Sequence, residues 1–226
     1  MILKKNTLDT SFGVQPVLAL LAMWITQDLI VRYFFSKKII IGQEFLSQIK
    51  GSIILAPTHR SRWDGLILTF AAGRRITNKD CRFMVTTPEM TGIQGWFLKR
   101  LGCFSINQES PSLFSLRYAI DLIIDQNLLV IFPEGKINKN GKDIPLKQGL
   151  HRLAKIAIKK GTSVNIVPIG IAYNKVKPSF RGKVALCIEK PFNLKDFSES
   201  SSDDFNHFLS KKIRTAEIKA LGLVGR

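Results

Sequence analysis

The chain has 226 residues, 45% hydrophobic and 23% charged, which suits one α/β domain with an adequate core. Three scattered cysteines, Cys81, Cys103 and Cys187, form no CxxC pair, so a disulfide framework is excluded and a reducing compartment is indicated. Thirty-four Lys and Arg against 17 Asp and Glu leave a net charge of +17, a surface that draws polyanions: nucleic acid, anionic lipid headgroups or an acidic carrier protein.

In chain order, Met1 to Gly13 is polar and is expected to be mobile. Val14 to Phe35 is strongly apolar, broken by Gln27, Asp28 and Arg32, and its uncharged part is shorter than the ~20 residues needed to span a bilayer. Trp24, Tyr33, Phe34 and Phe35, with Lys37 and Lys38 beyond, suit a helix lying at a membrane surface; the alternative is an ordinary core helix. No small-residue cleavage site follows, so a removed leader is not expected. The chain therefore divides into residues 1–36, a membrane-associating helical segment, and 37–226, a single α/β domain.

Within that domain strands are expected at Lys38–Ile41, Ser52–Ala56, Arg82–Val85, Phe104–Ile106, Leu128–Phe132, Val164–Ile171 and Val184–Ile188. Pro168 marks its strand as an edge or a bulge, because proline cannot donate to a ladder. Helical spacing is read near Asp64–Phe70, Gly92–Leu101, Pro111–Asp125 and Gln148–Lys160, and a basic helix follows the polar loop Ser198–Asp204. Strands alternating with helices predict an open, mostly parallel sheet with helices on both faces.

One stretch organises the rest: Thr58-His59-Arg60-Ser61-Arg62-Trp63-Asp64-Gly65. It follows a buried strand that Pro57 ends, so His59 falls in a loop at a strand's carboxyl end and Asp64 near a helix start. A carboxylate set against one imidazole nitrogen leaves the other as an acceptor, as a general base requires. The plainer alternative makes Asp64 an N-cap and His59 a loop residue.

Four segments then occur in order: His59-x4-Asp64, Gly102-Cys103-Phe104-Ser105-Ile106-Asn107, Phe132-Pro133-Glu134-Gly135 and Val167-Pro168-Ile169. Together with Pro88-Glu89-Met90 and Lys147-Gln148-Gly149, they resemble the motifs of the glycerolipid acyltransferases that acylate lysophosphatidic acid and related acceptors. The resemblance runs from about Gly51 to Ile171, and its strength lies in the order and spacing of the set.

The resemblance implies that a thioester donor, acyl-CoA or acyl-carrier protein, is attacked by a hydroxyl of a lysolipid acceptor. His59 would take the proton and Asp64 would orient the imidazole, so the substrate replaces the triad serine. Backbone amides near His59 or Gly135 are candidate oxyanion donors. Glu134, in a turn with Pro133 and Gly135, would help position the acceptor, or only shape the strand end; Gly102 opens the second segment. The sequence departs from the family where arginine is usual: Gln108 closes the second segment, and Lys136-Ile137 replace threonine and arginine in the third. Those arginines are expected to hold an acceptor phosphate. Lys136 could substitute in part, and Arg60, Arg62, Lys99 and Arg100 are further cations, though each also fits a solvated basic face. An acceptor without a phosphomonoester therefore stays open.

Trp96, Phe97 and Leu98 could line an acyl tunnel, touch a membrane or pack on the sheet. His151 and His207 make no metal spacing with His59, so neither a metal nor a cofactor is expected. Gly161-Thr162-Ser163-Val164-Asn165 lacks the second glycine of a nucleophile elbow, against a serine hydrolase. A basic lipid- or nucleic-acid-binding protein, or an inactive relative, is the non-enzyme alternative; the aromatic-plus-basic strand signature of a nucleic-acid binder is missing, and no nucleic-acid partner is expected. The partners implied are an anionic membrane surface, a lysolipid and the acyl donor, for a peripheral or monotopic protein on the cytoplasmic face.

Overall fold

The structure, a computed structural model, describes residues 13–141, 145–197 and 200–226. The stretch from Met1 expected to be mobile falls, up to residue 12, outside them. So do residues 142–144, and residues 198 and 199 of the polar loop.

The strands are β1 (Phe35–Ile41), β2 (Ser52–Pro57), β3 (Cys81–Thr86), β4 (Phe104–Ile106), β5 (Leu128–Val130), β6 (Val164–Tyr173), β7 (Gly182–Ile188) and β8 (Phe192–Asn193). The helices are α1 (Pro16–Phe34), α2 (Glu44–Ser47), α3 (Asp64–Ala72), α4 (Arg74–Thr77), α5 (Gly92–Arg100), α6 (Leu113–Ile124), α7 (Gly149–Lys159) and α8 (Ser202–Val224). All eight strands join one sheet in the order β1-β7-β6-β2-β5-β3-β4, with β8 beside β6. Every pairing is parallel except those of β6 with β7 and with β8. This is the open, mostly parallel sheet that the sequence predicts.

Period-two alternation splits the central strands between two cores. Ile54, Leu129 and Ile166 meet α6, α7 and α8 through Ile123, Leu153 and Leu209. Ile53, Leu55, Val130 and Val167 face the other way, against Val31 of α1 and Ile67 and Leu68 of α3. Because both faces are covered, β2 is buried at every position and reads as a continuous apolar run.

Pro168 corrects one expectation. Its strand is interior, between β2 and β7, not an edge. The Pro168 carbonyl accepts from the Glu189 N–H, so the missing N–H faces the side where β8 and β7 lie. β8 pairs with Asn165 and Ile166, and β7 takes over from Ile169. Proline occupies the handover, where no ladder donor is required.

α1 begins with Pro16 in its first turn and is π-wound from Trp24 to Val31. Its inner side buries Val31 and Gln27, whose amide donates to the Thr69 carbonyl of α3 at 3.1 Å. Its outer side exposes Val17, Leu20, Leu21 and Trp24, an i, i+3, i+4, i+7 stripe. The Gln15 N–H donates to the Arg100 carbonyl at the end of α5, and Phe34 leads into β1. The helix thus crosses the sheet from the α5–β4 side to the opposite edge, as a strap with one apolar face outward. Of its described residues only Gln27 and Val31 are buried.

Candidate active site

Pro57 closes β2, and Thr58 fastens the following loop to β6. The Thr58 N–H donates to the Ile169 carbonyl and its Oγ1 accepts from the Ile171 N–H, both at 2.9 Å. Asp64, the first residue of α3, is 0% exposed. Its carboxylate turns back into the loop: Oδ2 accepts from His59 Nδ1 at 2.9 Å, the Arg60 N–H at 2.6 Å and the Ser61 N–H at 2.8 Å. Oδ1 accepts from the Tyr173 hydroxyl at 2.6 Å. A carboxylate only accepts, so Nδ1 carries the imidazole proton and Nε2 presents a lone pair. The His59 ring stacks on Phe132, with centroids 4.0 Å apart, and its side chain is 20% exposed. The imidazole is thus held on one edge and open on the other.

The Phe132–Gly135 turn braces the same loop. Glu134, buried, accepts the His59 N–H at 3.1 Å and, with both oxygens, Arg60 Nη1 at 2.8 Å. The Asn138 N–H donates to the His59 carbonyl at 2.7 Å. Arg60 is also buried, and its Nε donates to Glu217 of α8, which in turn accepts from Arg214 at 2.6 Å. Burial opposes the Arg60 charge, but Glu217 and Glu134 outweigh it and raise the guanidinium pKa. Arg60 is therefore not part of a solvated basic face; it ties the Phe132–Gly135 turn and α8 to the His59 loop.

Gly135 has a positive φ of 69°, and a Cβ there would lie 3.1 Å from Lys147 Cγ. Its carbonyl accepts from Gln108 Nε2 at 2.6 Å, while the Lys147 N–H donates to the Pro133 carbonyl at 2.8 Å. The second and third segments thus meet at this turn, with Lys147 across it and Lys136 exposed beside it. Arg62 is exposed and paired with Glu89 at 2.7 Å. Gly102, at the end of α5, has Arg82 and Val14 as its nearest neighbours. Lys99 and Arg100 close α5, where Arg100 stacks on an exposed Trp96 at 3.8 Å from the ring centre. The N–H groups of His59, Arg60, Ser61 and Gly135 all donate within the chain, Gly135 to the Phe132 carbonyl. Among the described residues the Lys136 N–H makes no hydrogen bond.

Two neighbours of the pair and its loop escape the sequence reading. Tyr173 ends β6, and its burial is the available signal, since a buried hydroxyl needs a partner. Burial first, and then the Asp64 charge, raise its pKa well above the usual value, so it stays a phenol donor. Glu217 lies on the apolar face of α8 with Ile213, Ala216 and Ala220, an acid at a core position that signals a buried cation. No group of three or more His, Cys, Asp or Glu side chains is placed to hold a metal ion among the described residues.

The family model described as "Acyltransferase" matches residues 38–172. A 1-acyl-sn-glycerol-3-phosphate acyltransferase of Streptococcus pneumoniae is 30% identical over 125 residues, which are 54% of this chain and 42% of that protein. The Bacillus subtilis protein of the same name is 29% identical over 133 residues, 55% of this chain and 62% of its own length. Less than two thirds of either relative is therefore matched. The crystal structure of the 1-acyl-sn-glycerophosphate acyltransferase of Thermotoga maritima superposes with a TM-score of 0.67 at 20% identity, covering 92% of this chain and 80% of that one, which is a likeness of fold.

Proposed function

This chain belongs to the acyltransferase family, and from that premise we propose that it moves a fatty acyl group from acyl-CoA or acyl-carrier protein to a lysophospholipid hydroxyl, with 1-acyl-sn-glycerol-3-phosphate as acceptor. The observation that carries the reading is the pair His59–Asp64, with Nδ1 fixed by a buried carboxylate and the ring edge bearing Nε2 open. Nε2 takes the acceptor's hydroxyl proton as that oxygen bonds to the thioester carbonyl carbon. The buried carboxylate then faces an imidazolium, which it stabilises. The tetrahedral intermediate collapses with loss of the C–S bond, and the imidazolium returns its proton to the departing thiolate. Lys136 and Lys147 stand beside the turn as cations for the acceptor phosphate, and the Lys136 N–H is an oxyanion donor not already committed.

A second reading has its own observation. Gln108 stands where an arginine is usual, and its amide is engaged by the Gly135 carbonyl, so that position brings no charge to a phosphate. An acceptor without a phosphomonoester follows from it. In either case the outward stripe of α1 rests on an anionic membrane surface, making the protein peripheral or monotopic.

The test is a panel of lysolipids and simple alcohols offered to purified protein with labelled acyl-CoA or acyl-carrier protein. Wild type acylates at least one, with lysophosphatidic acid preferred on the first reading. His59→Ala remains folded and loses roughly 10²–10⁴-fold in rate, the weight of a general base. Near-normal turnover in that variant would refute the assignment.

A further inference from the structure

Beside the dyad lies a small open cleft of about 80 Å³, lined by neither His59 nor Asp64. The end of β6 backs it, and its charged lining is Arg60, Lys139, Lys175, Arg214, Glu217 and Arg226. The wall toward the imidazole is made by Arg60, bonded to Glu134, and by Tyr173, bonded to Asp64.

Among the described residues the charges do not balance. Arg60 and Arg214 are met by Glu134 and Glu217. Lys139 and Lys175 have no ion pair or hydrogen bond among the described residues, and both are exposed at the rim. Arg226 donates Nη1 to the Tyr173 carbonyl at 3.1 Å and has no carboxylate partner among those residues. Three cations in one concavity, whose lining acid Glu217 is already committed to Arg60 and Arg214, focus a positive field on whatever enters. Phosphate answers that field best, because several oxygens can take charge-assisted hydrogen bonds at once.

Position decides which phosphate. A lysolipid acceptor carries its reacting hydroxyl and its phosphate a few bonds apart, so with the hydroxyl at Nε2 its phosphate stays near Lys136 and Lys147. A thioester donor is built the other way: its phosphates lie at the far end of the pantetheine arm from the reacting carbonyl. A cationic cleft walled off from the imidazole fits that far end. We propose that this cleft binds the phosphate end of the thioester donor, with Lys139 and Lys175 as its recognising charges. The proposal rests on the acyl-transfer reading above. Its chemistry is common to the nucleotide phosphates of CoA and to the phosphodiester on a carrier protein's prosthetic arm.

The experiment compares the full chain with its Lys139→Met/Lys175→Met double variant. Both lysines are exposed, so thermal unfolding stays at the wild-type temperature. Calorimetry without acceptor measures binding of CoA, dephospho-CoA and pantetheine, and steady-state kinetics use acyl-CoA and acyl-carrier protein in turn. In the variant, CoA affinity falls or donor KM rises by about tenfold, the equivalent of roughly one charge-assisted hydrogen bond, while acceptor KM holds. The donor whose KM moves names the source of the phosphate. Unchanged CoA binding together with unchanged KM for both donors overturns the proposal. So does a rise confined to acceptor KM, which would give the cleft to the acceptor. If wild type binds CoA through these lysines yet acylates nothing, the cleft stands and the catalytic reading falls.

Discussion

Asp64 is where three segments of the chain meet, and the arrangement shows what each partner contributes. Two loop N–H groups and the Tyr173 hydroxyl solvate a carboxylate that has no access to water, leaving the His59 Nδ1–H as its fourth donor. Tyr173→Phe keeps the ring and removes one donor from a buried charge. A hydrogen bond to a charged group is worth roughly 1.5–3 kcal/mol, so urea unfolding should show a loss of that size. The rate should fall about tenfold as well, the equivalent of roughly 1.4 kcal/mol, because Oδ1 then competes for the proton that orients the imidazole. The loss should lie in kcat with acceptor KM unchanged; an unaltered kcat alongside lost stability would make Tyr173 structural only. The same residues show what a sequence discloses. His59 and Asp64 stand five positions apart, so their meeting is a local matter that a strand, a proline and a helix start can predict. Tyr173 lies 109 positions from Asp64, and Glu217 lies 157 from Arg60. Only the sheet and α8 bring those partners in, and no spacing rule reaches that far.

Elements were legible where their apolar periodicity was strong, and Pro168 shows where that logic breaks. Proline in a strand reads as the mark of an edge or a bulge, yet the requirement is narrower: one side of one residue must lack a ladder acceptor. A strand whose partner changes from β8 to β7 meets that requirement in the middle of a sheet. His151 of α7, which makes no metal spacing with His59, packs against α8, and the structure gives it a consequence. His151 is buried, stacks on Phe205 at 4.6 Å between centroids and shares a hydrogen bond of 2.8 Å with Ser202 Oγ, while Nε2 has no partner among the described residues. Burial first, then the charge of Lys155, lower its pKa below the ordinary 6.5. Above 6.5 the imidazole is neutral in both folded and unfolded chains and contributes no pH dependence. Below it the unfolded chain binds a proton that the folded chain resists, so stability falls with falling pH until the folded value is passed. His151→Gln removes this acid-side loss. Its urea midpoint should decline less than the wild-type one between about pH 7.5 and 5.5, the range that brackets an ordinary imidazole. Parallel declines would show that His151 is not the responsible group.

At the scale of the whole molecule, a net charge of +17 and the outward apolar strap would be two separate means of meeting the membrane proposed above, and they respond differently to salt. The attraction of basic side chains to anionic headgroups acts across water and is screened over about 8 Å at physiological ionic strength. Burial of Val17, Leu21 and Trp24 in the acyl boundary depends on apolar area, which salt does not screen. Composition alone could not separate these contributions, since the same charge would serve a nucleic-acid surface. The placement of α1 separates them, because its apolar stripe faces away from the sheet and its few polar side chains serve the protein: Gln27 bonds the Thr69 carbonyl and Asp28 pairs with Arg75. Cosedimentation with phosphatidylserine-containing and neutral vesicles should resolve the two. Wild-type binding should weaken as salt rises but level at a residual that neutral vesicles also capture. With Val17, Leu21 and Trp24 all replaced by serine, the residual should vanish while the salt-sensitive part on anionic vesicles stays. These side chains point into solvent, so the variant's fold and its turnover of a detergent-dispersed acceptor should match wild type. A salt-resistant residual that survives the triple replacement would move the apolar contact off α1, and the exposed Ile93, Trp96 and Phe97 of α5 would be the next surface to test.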